Sequence, residues 1–255
     1  MMSMEQLITE HMDVWTGAME RRSSAGRGGG KKVRYHGVNT LRNLIFDLAV
    51  NGKLTEQKDE DEPASILFEK LSDEKITLQS ELKLKIKKTQ NKVQGCLDIR
   101  PILPSNWRWS TLDELAILIT DGTHRTPEYL GTGVPFISVK DINGETVSFD
   151  DCKYISMKEH LEINSRCNPE IGDVLICRIG TLGRATIVDT DRPFSLFVSV
   201  GLIKLPQRFV LPAYSKIVFT SPLLTSQYQK IKAGGSHTNK LNLSELPKLE
   251  IPLPH

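Results

Sequence analysis

The sequence predicts an α+β protein, a helical segment followed by a mixed-sheet domain, on three observations. Apolar residues recur at helical spacing over residues 38–48 and again over 65–82. From Trp107 onward, short apolar runs alternate with Gly, Asn, Asp and Pro turns, as in a mixed sheet. Pro101 and Pro104 bracket the boundary between the two regimes. The expected divisions are an N-terminal helix with a basic arm (1–37), a helical region (38–100) and a mixed-sheet domain (101–255).

Met4 to Met19 reads as a short helix with Leu7, Ile8, Met12 and Trp15 on one side. The stretch Arg21-Arg-Ser-Ser-Ala-Gly-Arg-Gly-Gly-Gly-Lys-Lys32 follows. Its Gly and Ser residues cost too much entropy to order alone, so it is expected to be a mobile arm. Such an arm is a phosphate contact, a partner tether or a solvated linker. Val38, Leu41, Leu44, Ile45 and Leu48 define the next helix, with Asn39 or Thr40 as cap and Gly52 as its end.

An acidic turn, Asp59-Glu-Asp-Glu-Pro63, precedes a second helix from Ser65. Its stripe of Phe68, Leu71, Leu78 and Leu82 lies close to a heptad pattern, interrupted by Lys75. One apolar stripe must pack against its own domain or another subunit, so these four are the candidate partner-binding residues. Beyond Lys88, strands are expected at 116–119, 134–139, 174–179, 185–188 and 197–204. Helices are expected at 111–115, 156–163 and 212–231.

A length of 255 residues allows one or two domains. No apolar run is long enough to span a bilayer, and the N-terminus lacks a secretory layout. Cys96, Cys152, Cys167 and Cys177 show no metal-type spacing and read as reduced packing residues, which points to the cytoplasm.

The net charge of +2 hides a segregation. Residues 21–34 hold six bases and no acid, 111–173 hold twelve acids against five bases, and 204–250 hold seven bases against two acids. A nucleic-acid reader needs a basic face and not a basic average. This segregation permits such a face, and it is also what chance fluctuation along a chain produces.

Absent motifs narrow the chemistry. The sequence contains no P-loop, and Gly180-Thr-Leu-Gly183 is too short for a dinucleotide fingerprint. Asn168-Pro-Glu170 lacks the second proline and the aromatic with which amino-methyltransferases stack a flipped adenine. The six histidines never fall at i, i+4 spacing, so no metal site is expected.

Three loops remain as candidate contacts with an anionic partner. In Asp121-Gly-Thr-His-Arg-Thr-Pro127, a constrained turn carries Thr123, His124, Arg125 and Thr126. Arginine forks onto guanine acceptors, and threonine contacts base edges or phosphates. In the second loop, Arg178, Thr181 and Arg184 flank Gly180 and Gly183, where glycines let backbone N–H groups approach a phosphate. In the third, Ser236, His237, Thr238, Asn239 and Lys240 follow a Gly-Gly hinge; Asn pairs with adenine and Lys with phosphate. Lys140, at an expected strand end, joins the candidates. Each loop is also readable as a plain connection between elements, and the third ranks first among them as a DNA contact.

Several segments together resemble one family. Asp13-Val-Trp-Thr with Ser23-Ser-Ala-Gly-Arg-Gly, Leu41-Arg-Asn-Leu-Ile-Phe-Asp-Leu-Ala-Val-Asn-Gly-Lys-Leu54 with Asp61-Glu-Pro-Ala-Ser65, and Leu103-Pro-Ser-Asn-Trp-Arg-Trp109 are similar to specificity subunits of type I restriction–modification enzymes. The resemblance implies a non-catalytic, DNA-binding target-recognition domain that reads one half of a bipartite site in double-stranded DNA. It implies methyltransferase and restriction subunits as partners, with S-adenosylmethionine, ATP and Mg bound there and no cofactor in this chain. It also implies an amino-terminal half that pairs with a second specificity half. The alternative is a helical scaffold that assembles partners without sequence-specific DNA contacts of its own.

Overall fold

The computed structural model describes residues 4–21, 33–58, 60–84, 94–232 and 239–255. It is an α+β protein, as the periodicities predict. Of the arm expected over 21–32, Arg21 ends the strand β1 (Met19–Arg21) and residues 22–32 lie outside the described residues; β1 pairs antiparallel with β2 (Val33–Tyr35). The single N-terminal helix expected from Met4 is instead two, α1 (Met4–Glu10) and α2 (Met12–Gly17), with His11 between them outside helical geometry.

The helix α3 (His36–Val50) begins earlier than the sequence suggests, so Asn39 and Thr40 lie inside it and are not caps. Thr40 instead donates its hydroxyl back to the His36 carbonyl. Gly52 follows with a left-handed φ of 64°, as expected at a helix end.

The helix α4 (Ala64–Glu81) corrects the candidate partner stripe. Leu71 is fully buried in the same core as Val50, Leu112, Phe219 and Leu224. Phe68 is half-buried under the Arg108 guanidinium, 3.6 Å from its ring centroid. Leu78 is half-buried, and only Leu82 is exposed. Phe68 and Leu71 pack inward, and the short α5 (Leu112–Leu115) lies against the same helix. The interrupting Lys75 donates to the carbonyls of Asp113 and Glu114, two of the last carbonyls of α5. Thr111 and Glu114 form a capping box at the other end.

The remaining chain builds three sheets. The largest has the order β4 (Leu118–Asp121), β10 (Val200–Lys204), β7 (Val174–Cys177) and β8 (Ala185–Ile187), all antiparallel. The second has the order β6 (Lys153–Ile155), β5 (Val134–Ile137) and β9 (Ser195–Leu196), with β5 and β9 parallel. The third pairs β3 (Arg108–Thr111) with β11 (Glu250–Leu253).

Along β7, Val174 and Ile176 face the helical core while Leu175 and Cys177 face a second cluster with Ile137 and Leu196. The strand is covered on both faces, which is why its residues form an unbroken apolar run. The helix expected over 212–231 is broken into α7 (Pro212–Thr220) and α8 (Pro222–Ile231). Pro222 forces Ser221 to be extended, and Ser221 then accepts from the Leu224 N–H as the new N-cap. Between β6 and β7 lies α6 (Met157–Asn164), capped by Ser156.

Candidate nucleic-acid interface

The site is organised at the end of β4, an edge strand of the largest sheet. Asp121 is 1% exposed, and its carboxylate accepts from the Arg178 guanidinium. It also meets Arg166 Nη1 at 3.3 Å and His124 Nε2 at 3.2 Å. Arg178 donates Nε to the Leu241 carbonyl at 3.1 Å and Nη1 to the Val198 carbonyl at 3.0 Å. Gly201 gives the arginine room, since a Cβ there would sit 3.0 Å from Arg178 Cδ.

A charge removed from water is tolerated only when paired and hydrogen-bonded, and here both partners are. The effect is to tie four chain segments together: the 121–127 loop, the turn before β10, the 178–184 loop and residues 239–241. Backbone bonds complete the tie, from Leu241 N to the Arg178 carbonyl and from Gly180 N to the Asn239 carbonyl.

The candidate residues divide accordingly. His124, Arg125, Thr126, Thr181, Asn239 and Lys240 are exposed around the Asp121 node, and Thr123 is half-buried. Thr123 Oγ1 accepts from the Arg125 N–H at 3.2 Å, which fixes the turn. Gly183 has φ 74° and its Cα abuts the Tyr228 ring, so the tight 178–184 turn requires glycine. Ser236, His237 and Thr238 lie outside the described residues.

One candidate is corrected. Arg178 is 4% exposed and committed to Asp121 and two carbonyls, so it supports the surface and cannot reach a ligand. Lys140 is exposed and bonded to the exposed Asp151, with Asp141 at 3.8 Å. Arg184 is half-buried, with Nη1 on the Ile142 carbonyl.

The basic excess of 204–250 does not form one face. Lys204, Lys216, Lys230 and Lys248 pair with Asp173, Glu145, Asp98 and Glu245 respectively. Arg208 lies over the Phe209 ring and Lys232 donates to Gln229, and neither they nor Lys240 has an acidic partner among the described residues. Sequence proximity of like charges does not report the fold-distant carboxylates that neutralise them.

Sequence reasoning missed Asp121 as an organiser, and missed Arg166, Glu159 and Glu162. Arg166 Nη2 donates to the Gly122 carbonyl at 2.8 Å and Nη1 to Thr120 Oγ1 at 3.2 Å. Glu159 and Glu162 on α6 lie 3.9 and 3.7 Å from Arg125 Nη2. A signal existed: Met157 and Leu161 fall off the face of α6 that His160, Ile163 and Asn164 turn inward.

No group of three metal-type ligands occurs among the described residues. Burial pushes the Cys167 thiol up to about 12 and Cys177 to about 11, so neither is a nucleophile. His160 and Ser195, 2.9 Å apart, are both buried beneath α6 and serve as a packing pin. The surface offers donors, acceptors and two guanidiniums held in place.

Residues 104–255 match the sequence profile of the type I restriction modification DNA specificity domain. The chain belongs to that family. It is similar to the specificity subunit of the Escherichia coli type I restriction enzyme EcoEI, 42% identical over 118 residues, covering 46% of this chain and 20% of that protein. The specificity subunit of E. coli EcoAI is 42% identical over 116 residues, covering 45% and 19%. The aligned part is therefore about a fifth of the length of these curated relatives. The solved HsdS subunit from Thermoanaerobacter tengcongensis covers 95% of this chain and 56% of its own, at 17% identity and a TM-score of 0.37. None of the described helices is long and apolar enough to cross a membrane.

Proposed function

We propose that the chain recognises a DNA target sequence without catalysing a reaction. It reads one half of a bipartite site and positions methyltransferase and restriction subunits there. The observation that carries this reading is the convergence of His124, Arg125, Thr126, Thr181, Asn239 and Lys240 around a single buried ion pair. Exposed Lys240 sets register on phosphate, while the loop side chains discriminate base edges. S-adenosylmethionine, ATP and Mg belong to the partner subunits in this scheme, and a second specificity half reads the other half-site.

Fluorescence titration of the full chain on duplex DNA tests it. The expected result is a sequence preference, with affinity falling as salt rises. Lys240→Ala is expected to weaken all sequences evenly and to reduce the salt slope by about one. Binding that is indifferent to sequence at every salt concentration would contradict the proposal.

A second reading, a scaffold that assembles partners, draws on Ile66 and Ile76 exposed on α4 and Leu82 exposed just after it. Alanine at Arg125, Asn239 and Lys240 separates the two: unchanged DNA binding favours the scaffold.

A further inference from the structure

Helix α6 turns one face inward and presents the other with an unusual composition. Inward, His160 Nδ1 meets Ser195 Oγ, Ser195 donates to Asn164 Oδ1 at 3.1 Å, and Ile163 packs with Val134, Phe136 and Ile155. Outward, Met157 is 56% and Leu161 63% exposed, one turn apart on the helix. Lys158, Glu162 and Arg166 follow at the same interval beside them, all exposed. Apolar side chains left in water on a helix pinned by buried polar bonds do not serve the core.

Between this helix and the 121–127 loop lies a cavity of about 300 Å³, lined in part by Thr123, Arg125, Glu159, Glu162 and Arg166. Two guanidiniums face two carboxylates, and Asp121 stands directly behind Arg166. A phosphate would meet nearly as much repulsion as attraction there. A neutral ligand edge carrying both acceptors and donors would not. Arg125 sits 3.7–3.9 Å from both carboxylates without a hydrogen bond from its guanidinium among the described residues. It is oriented by charge while its donors remain available.

We propose that α6, with Arg125, is a base-reading element that enters the DNA major groove, where Arg125 and Glu162 take the two halves of one G·C pair. Arg125 donates to guanine O6 and N7, and Glu162 accepts from the cytosine N4 amino group. Met157 and Leu161 lie against neighbouring thymine methyls or apolar base edges. The major groove admits a helix, and α6 stands out beside the loops already assigned to DNA. This inference rests on the DNA-reading function proposed above.

Selection from a randomised duplex pool tests it, using the full chain as wild type, Arg125→Ala, Arg125→Lys and Glu162→Gln. The wild type is expected to enrich a motif containing a G·C pair. Arg125→Ala and Arg125→Lys are expected to relax that one pair by roughly tenfold or more and leave the other positions alone. Glu162→Gln is expected to relax the same pair, because an amide also suits adenine. Arg125 and Glu162 are exposed, so equal thermal melting of all four proteins is expected.

A wild-type motif whose every position survives all three substitutions would overturn the assignment of α6 and leave the DNA-reading function standing. Uniform weakening on all sequences, with the salt slope reduced by about one, would make Arg125 a phosphate contact and overturn it equally. A wild type that enriches nothing would overturn the parent reading together with this one.

Discussion

An arginine in a glycine-rich turn is easily read as a ligand contact, and Arg178 shows why that reading fails. Nothing local distinguishes an arginine that reaches outward from one that folds back onto an acid 57 residues earlier in the chain. The loops were legible because Gly, Pro, Thr and Asn mark turns; the node that gathers them was not, because it is a long-range ion pair. Removing one partner of a buried pair leaves the other uncompensated, so Arg178→Met is expected to cost about 3 kcal/mol or more in denaturant unfolding. Asp121 would retain only Arg166 and His124, both largely exposed. A loss below about 1 kcal/mol, in the range of an exposed pair, would mean that this contact does not hold the loops together.

At the scale of elements, the sequence reported periodicity well and partners poorly. The apolar run of β7 and the caps at Thr111 and Ser156 follow from local chemistry. The inward packing of Phe68 and Leu71 on α4 does not, because it depends on elements far along the chain, α5 among them. Helix α6 was expected, yet its seat on β9 was hidden in a histidine that the spacing rules treated only as a failed metal ligand.

Burial holds His160 below its ordinary value of 6.5. An unfolded chain therefore takes up this proton first, so His160 favours folding fully above pH 6.5 and progressively less as pH falls. Asp173 works in the opposite sense. Burial raises it to about 6 against the partial relief of Lys204, so its unfavourable contribution grows as pH rises from 3.8 toward 6. The stability gap between wild type and His160→Gln isolates the histidine and is expected to narrow as pH is lowered from 7 to 5. A gap that is constant across that range would show that His160 is not held neutral.

Across the whole molecule, charge is arranged by pairing more than by patch. Basic residues crowd the last quarter of the sequence, but Lys204, Lys216, Lys230 and Lys248 pair with acids, leaving Arg208, Lys232 and Lys240 without one among the described residues, Lys240 beside loops fixed from beneath. The helical region and the sheet domain share one core through Val50, Leu71, Leu112 and Phe219. A shared core of this kind can hold several loops and one short helix in register against a duplex, which sequence-specific reading requires. Hydrogen exchange of the full chain, with and without a duplex that it selects, examines this arrangement directly. Slowed exchange is expected at 121–127, 157–166, 178–184 and 239–241 on adding DNA, with α3 and α4 unchanged. Protection confined to α3 and α4, with the loops around Asp121 exchanging as before, would place the DNA elsewhere and contradict the account.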